Sequence, residues 1–288
     1  MRIRIVDAFA DRPFTGNPAG VLLLESGAFP DDGWLQAVAA EVNLSETAFA
    51  HPLPPGGDAD WALRWFTPLT EVGMCGHATL ATAHVLHSTG RAGGALRFAA
   101  RPGVLGAEAH EDGSITLDFP TSPLTPLALS GPEGIATPLN ASLTTALGTE
   151  PVSVHDTSAD VGDLLVEVAD ERTVRSLAPD FAALKGLSGQ GLSGRGVIVT
   201  AAAEDPDGGY DFVSRGFFPG VGIDEDPVTG SAHTVLAPFW SARLGRTELT
   251  GLQASARTGL VRTALRGGRT LLSGRAVTVI DGELLTAP

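Results

Sequence analysis

Apolar and polar positions alternate along ADWALRWF, which puts Trp61, Leu63 and Trp65 on one face and Ala62, Arg64 and Phe66 on the other. That two-residue period predicts a strand, and YDFVSRGFF at 210 to 218 predicts a second of the same kind. The opening MRIRIVDAF alternates in the same way. Other stretches follow a helical pattern. WLQAVAAEVN predicts a helix that stops at Asn43, and further helices are expected from about His77 to Thr89, ended by Gly90, and from about Ser231 to Leu244, ended by Gly245. The last two are apolar nearly all round, so each is expected inside a sheet that wraps it rather than on a surface. Pro238 falls within the second of them and should kink it, at a local cost of about 3 kcal/mol.

The elements recur in order. RWFTP at 64 to 68 matches RGFFP at 215 to 219, CGHA at 75 to 78 matches TGSA at 229 to 232, and AARPGVL at 99 to 105 matches SARTGLV at 255 to 261. The offset grows slowly along the chain, as small insertions would make it grow in a duplicated domain, and the period is far too long for a solenoid. We therefore expect two similar lobes, residues 1–122 and 123–288, with the C-terminal strand free to pack back on the first. The proline-rich segment TSPLTPLALSGPEGIATPL at 121 to 139 is the expected connection.

Composition narrows the function. The 288 residues are 43 % hydrophobic and 18 % charged, enough to bury a sizeable core. A net charge of −14 argues against nucleic acid, whose binding rests on clustered Lys and Arg, and against an anionic membrane surface. Lys185 is the only lysine and lies in a loop-like stretch, a poor site for Schiff-base chemistry. Cys75 is the only cysteine, which suits a reducing cytoplasm. Residues 72–90 carry no Asp, Glu, Lys or Arg and have the length of a membrane span, yet they hold three histidines and lack anchoring flanks, so a helix buried in a protein core is expected instead.

Few residues remain for chemistry. Glu46 stands at a helix-to-strand joint among Leu44, Ala48 and Phe49. It is either a solvated corner carboxylate or a base whose pKa is raised by apolar surroundings. MCGHAT and VTGSAH both open helices with Gly beside small residues, so the first N–H groups at Gly76 and Gly230 are either solvated or available to a bound carboxylate. His77 is a donor to a ligand or an ordinary partly buried imidazole. Asp226, crowded by Asp224 and Glu225, is a solvated loop acid or a site residue. GQGLSG at 189 to 194 precedes a strand-like VIVT, the wrong order for a dinucleotide site, and His77, His84 and His87 lack the companions of a zinc site. Chemistry without a cofactor or metal is what these eliminations leave.

Four motifs together are specific: FADRPFTGNPAGVLLL, EVNLSETAF, LRWFTPLTEVGMCGHATLATAHVL and GIDEDPVTGSAHTVLAPFW. Spanning nearly the whole chain, they resemble the PhzF-like family of phenazine-biosynthesis isomerases. The resemblance implies an α+β, diaminopimelate epimerase-like fold of two pseudo-symmetric lobes, each a mostly antiparallel sheet around a central helix, with the active site between them. It also implies a homodimer, no cofactor and a small anionic carboxylate substrate. The family's catalytic glutamate falls on Glu46, its helix-start histidine on His77 and its second-lobe aspartate on Asp226, with Gly76, Gly230 and Ser231 holding substrate. The implied reaction resembles that of trans-2,3-dihydro-3-hydroxyanthranilate isomerase: one Glu shifts a proton within an unsaturated acid. An amino-acid epimerase or racemase, or a binding protein without chemistry, are the alternatives. Diaminopimelate epimerase is similar to a two-thiol machine, and Cys75 holds the first thiol's place while Pro227 stands where the second would be. The chain departs from the family pattern at Thr258, where a second glycine is expected.

Overall fold

The computed structural model describes residues 1–25, 27–101, 103–131, 134, 136–157, 161–187, 196–205 and 207–288. The GQGLSG stretch lies outside them. In chain order the elements are β1 (Arg2–Ala8), β2 (Asn17–Leu23), α1 (Asp32–Val42), β3 (Glu46–Pro52), β4 (Trp61–Phe66), β5 (Glu71–Val72), α2 (Gly76–Ser88), β6 (Ala95–Ala100), β7 (Gly103–Ala109) and β8 (Ile115–Pro120). There follow β9 (Leu124–Leu127), α3 (Pro138–Leu147), β10 (Ser153–Thr157), β11 (Leu164–Glu167), α4 (Glu171–Ser176), α5 (Phe181–Leu187), β12 (Val197–Ala202), β13 (Phe212–Phe218), β14 (Ile223–Asp226), α6 (Gly230–Leu244), β15 (Glu248–Gln253), β16 (Gly259–Arg266), β17 (Arg269–Gly274) and β18 (Ala276–Glu283).

Two compact units result, Met1–Phe119 with Arg269–Pro288, and Pro120–Gly268. The C-terminal hairpin belongs with the first unit, where β18 pairs antiparallel with β1 and β17 pairs with β8. The 121–139 segment differs from the expected connection. Its Leu124–Leu127 strand pairs with β10 inside the second unit, and Pro138 opens α3, a position where a missing N–H is harmless.

In the first unit β2 runs parallel to β3, as the α1 crossover requires, and β3 runs antiparallel to β4. β4 then pairs antiparallel with β5 and parallel with β6. α2 is the central helix: every residue from Gly76 to Ala83 is buried, as are Val85 and Leu86. The second unit repeats this order, with β11 parallel to β12, β12 antiparallel to β13, and β13 paired with both β14 and β15. There α6 is the central helix, packed through Ala232, Val235, Leu236, Phe239 and Trp240. The apolar all-round pattern of both helices thus has its cause in their surroundings.

The RWF and RGF matches have a physical reason. Arg64 Nε donates to Glu71 Oε1 at 2.8 Å and its Nη2 to Oε2 at 2.9 Å, while the guanidinium lies 5.1 Å from the Phe66 ring centre. In the second unit Arg215 makes the same fork to Glu225, at 2.7 and 2.9 Å, with Phe217 at 5.0 Å. Two parallel charge-assisted bonds fix the short β5 or β14 against its neighbour. Hydrogen bonding to Arg64 is the chief cause holding the Glu71 carboxyl below its ordinary range.

Pro238 does sit inside α6. A proline cannot donate to the carbonyl four residues back, which here belongs to Thr234. That carbonyl instead accepts the Ser122 N–H at 3.2 Å, so the freed acceptor is satisfied by the strand-free chain that enters the unit. Thr258, the residue that departs from the family pattern, has φ of 56°, a left-handed conformation that glycine adopts without strain and a β-branched residue does not. We expect Thr258→Gly to stabilise the fold by about 1 kcal/mol, read as a raised urea midpoint with an unchanged slope; a lowered midpoint refutes the strain.

Candidate active site

The first unit gathers its polar groups at one end of β2 and β3. The parallel register sets Ala19 beside Glu46, so Asn17, which opens β2, and Glu46, which opens β3, share a sheet end. Asn43 adopts a left-handed φ of 52° and caps α1 through its N–H to the Ala39 carbonyl at 3.0 Å. The short turn that follows delivers Glu46. Its side chain is only 13 % exposed, and Oε2 lies 3.3 Å from His77 Nε2. The solvated-corner reading of Glu46 is therefore not what the chain adopts.

His77 is the second residue of α2 and is buried. Burial alone pulls its pKa down from 6.5 to about 3, so the ring is neutral across the physiological range. A neutral imidazole carries one N–H, and its neighbours decide where. The buried Asn17 amide nitrogen lies 3.1 Å from Nδ1. With the amide donating there, Nδ1 accepts and Nε2 bears the hydrogen, 3.3 Å from Glu46 Oε2 but not aligned with it as a hydrogen bond. Cys75 Sγ lies 3.4 Å from Nδ1. One ring nitrogen, one Glu46 oxygen and Cys75 Sγ all lie within 4.8 Å of one another, the one such His/Cys/Asp/Glu grouping among the described residues. Gly76 opens the helix beside this group, and the Cys75 side chain at the N-cap makes no capping bond.

The second unit gathers Asp226, Gly230 and Ser231 at the corresponding helix start. Its three crowded acids divide their roles: Asp224 is exposed, Glu225 is held by Arg215, and Asp226 is buried. Thr229 Oγ1 donates to Asp226 Oδ2 at 2.6 Å. Gln253 braces the turn, its Oε1 accepting the Thr229 N–H at 2.7 Å and its Nε2 donating to the Asp226 carbonyl at 2.7 Å. Ser255 Oγ donates to the Pro227 carbonyl at 2.6 Å. The solvated-loop reading of Asp226 does not describe this residue.

The two helix starts diverge in chemistry. Matching β4 to β13 through Arg64 and Arg215 places Gly196 where the first unit has Glu46. A Cβ added at Gly196 would come within 2.1 Å of the Phe217 carbonyl oxygen, so that position has no room for an acid. Where Thr79 Oγ1 donates to the Cys75 carbonyl at 2.6 Å, His233 Nδ1 donates to the Thr229 carbonyl at 2.8 Å. Sequence reasoning missed Asn17, Gln253 and the Glu partners of the two arginines. For Asn17 the one signal was an amide at the start of an apolar strand, NPAGVLLL, where a buried polar group requires a partner.

A family model described as phenazine biosynthesis-like protein, PhzC-PhzF, matches residues 6–282. An uncharacterized isomerase of Pseudomonas aeruginosa is 50 % identical over 280 residues, covering 97 % of this chain and 96 % of its own. The crystal structure of a PhzF-family phenazine biosynthesis protein from Enterococcus faecalis superposes with a TM-score of 0.85 at 39 % identity, covering 99 % of each chain. A hydroxyproline epimerase of Agrobacterium vitis shares the fold at a TM-score of 0.63 and 15 % identity, over 98 % of this chain and 91 % of that one. The fold is thus α+β and diaminopimelate epimerase-like. Among the described residues no helix is long and apolar enough to cross a membrane.

His233 gives this site a pH signature. It is fully buried, and desolvation first, opposed by its bond to the Thr229 carbonyl, lowers its pKa from 6.5 to about 4. A buried neutral base contributes its full stability above the unfolded value of 6.5 and loses it as pH falls toward the folded one. The loss amounts to about 3 kcal/mol at most, on 1.36 kcal/mol per unit. In denaturant titrations His233→Gln, whose amide can still donate to Thr229, should flatten the fall in stability between pH 6.5 and 4; an unchanged slope refutes the assignment.

Proposed function

The chain belongs to the phenazine biosynthesis-like PhzC/PhzF family, and from that premise we propose a cofactor-independent isomerase that moves a proton within a small unsaturated carboxylic acid, in the manner of trans-2,3-dihydro-3-hydroxyanthranilate isomerase. The observation that carries the reading is the half-enclosed Glu46 carboxylate beside a neutral, buried His77. Glu46 takes a proton from a carbon next to the unsaturated system. The electron pair left behind delocalises, and the oriented N–H groups at the start of α2 favour the resulting anion, an effect worth about 3 kcal/mol for a well-placed donor. Glu46 then returns the proton to a different carbon of the same molecule, so no external acid, base or oxidant is consumed.

Burial pushes the His77 pKa well below the ordinary imidazole range, so in this reading the ring works in its neutral form. Its role in this reading is to place a neutral Nε2–H 3.3 Å from the Glu46 carboxylate and to orient the substrate. Asp226, Gly230 and Ser231 are assigned to the substrate's amine, hydroxyl and carboxylate groups on the strength of the GIDEDPVTGSAH resemblance. The working form is proposed to be a homodimer. Cys75 carries no proton in this scheme. A two-base racemisation finds little support, because Gly196 stands at the counterpart of Glu46 and Pro227 contributes a backbone carbonyl to Ser255.

Incubating candidate acids with the protein in heavy water tests the reading. Deuterium at a new carbon is expected; deuterium at an inverted original centre would establish a racemase, and no incorporation across a broad panel would leave a binding protein. Glu46→Gln should lower exchange by about 10²–10⁴-fold while substrate binding persists, and retained turnover ends the assignment. Asn17→Asp puts an acceptor at Nδ1 and so moves the ring hydrogen away from Glu46. Exchange should then fall by roughly tenfold or more, with the tautomer change visible in the ¹⁵N shifts of His77; an unchanged tautomer refutes the role given to Asn17.

A further inference from the structure

We infer that Glu46, Cys75 and His77 form an inhibitory site for a divalent cation of the zinc class. The donor set is one carboxylate oxygen, one thiol sulfur and one imidazole nitrogen, all within 4.8 Å of one another. Around zinc, bonds of about 2.0–2.1 Å to N or O and about 2.3 Å to S put neighbouring ligands roughly 3.3–3.6 Å apart. The Glu46 Oε2 to His77 Nε2 distance is already 3.3 Å. The Cys75 sulfur lies 3.4 Å from the other ring nitrogen, Nδ1, so with Nε2 as the ring donor the Cys75 side chain must rotate to bring the thiol round, and a water completes the tetrahedron.

Burial favours the site as well. Cys75 is 5 % and His77 3 % exposed, so an ion there is shielded from competing water. A histidine bound to metal through one nitrogen steadies itself by donating its other N–H to a carbonyl or carboxylate. Asn17 stands at that second nitrogen, 3.1 Å away, and its amide turned over presents oxygen in place of nitrogen. Thiolate and imidazole select zinc, cobalt or copper over magnesium and calcium. Binding releases the thiol proton to solvent while the ring's single hydrogen moves from Nε2 to Nδ1, where the turned Asn17 oxygen accepts it, with no change of oxidation state. The ion then holds the lone pair that Glu46 needs to take a proton. Inhibition, though not binding, rests on the reading of Glu46 as the base.

The full-length protein, washed with chelator, is titrated with Zn²⁺ against a chromophoric chelator and separately with Co²⁺ under absorption. One ion should bind, Co²⁺ should show a near-ultraviolet thiolate charge-transfer band, Mg²⁺ should not compete, and Zn²⁺ should suppress deuterium exchange. Cys75→Ser and Cys75→Ala should keep exchange, lose the cobalt band and weaken Zn²⁺ binding by about tenfold or more. Thermal melts confirm that each variant is folded. Absence of Zn²⁺ binding by the unaltered protein, a Co²⁺ spectrum without the band, or variants that bind as tightly as the parent would overturn the site. Turnover retained by Glu46→Gln would instead sink the catalytic reading and leave the measured Zn²⁺ affinity standing.

Discussion

An uncharged imidazole enclosed between an amide and a carboxylate is the constraint on which the functional end of the first unit depends. Desolvation keeps His77 neutral, and a neutral ring has one hydrogen to place. Asn17 on one side and Glu46 on the other settle its position, and both are set by the parallel pairing of β2 with β3. A slip of one residue in that register would turn Asn17 or Glu46 to the opposite face of the sheet. The proposed chemistry therefore rests on strand pairing as much as on the three side chains themselves.

The duplicated halves keep their mechanical parts and diverge in their reactive ones. The Arg64–Glu71 fork over Phe66 returns as the Arg215–Glu225 fork over Phe217, because both clamp a two- to four-residue strand that pairing alone would leave loose. At the helix starts the correspondence ends. His77 and Ser231 occupy matching places, as do Val72 and Asp226, and Cys75 stands where Thr229 accepts the brace from Gln253. One half has an acid at the head of its third strand, and the other has glycine packed against a carbonyl.

Much of this could be read from the residues. Strand alternation in ADWALRWF, the glycine stops at 90 and 245, and the all-round apolar helices each reflect a local rule that tertiary structure did not overturn. The residues around Glu46 left a solvated acid and a base both open, and its 13 % exposure decides only that it is not solvated. That β17 returns with β18 to the first unit was not legible, since their pairings are with residues far away in the chain. Nor were the Asn17 and Gln253 bonds, because a side-chain amide carries no periodicity and its partner is chosen by register. The Pro238 position was visible, but its compensation by Ser122 depends on a contact between segments more than a hundred residues apart.

Gly196 has a consequence for the history and engineering of such proteins. A symmetrical ancestor with an acid in each half could lose one by substitution, yet the reverse path is closed here, because any side chain at 196 must first displace the Phe217 main chain. Converting this scaffold into a two-acid catalyst by point mutation at that position therefore forces a backbone shift before any acid is seated. Productive routes must rebuild the adjoining strand or recruit the second proton carrier from elsewhere in the chain.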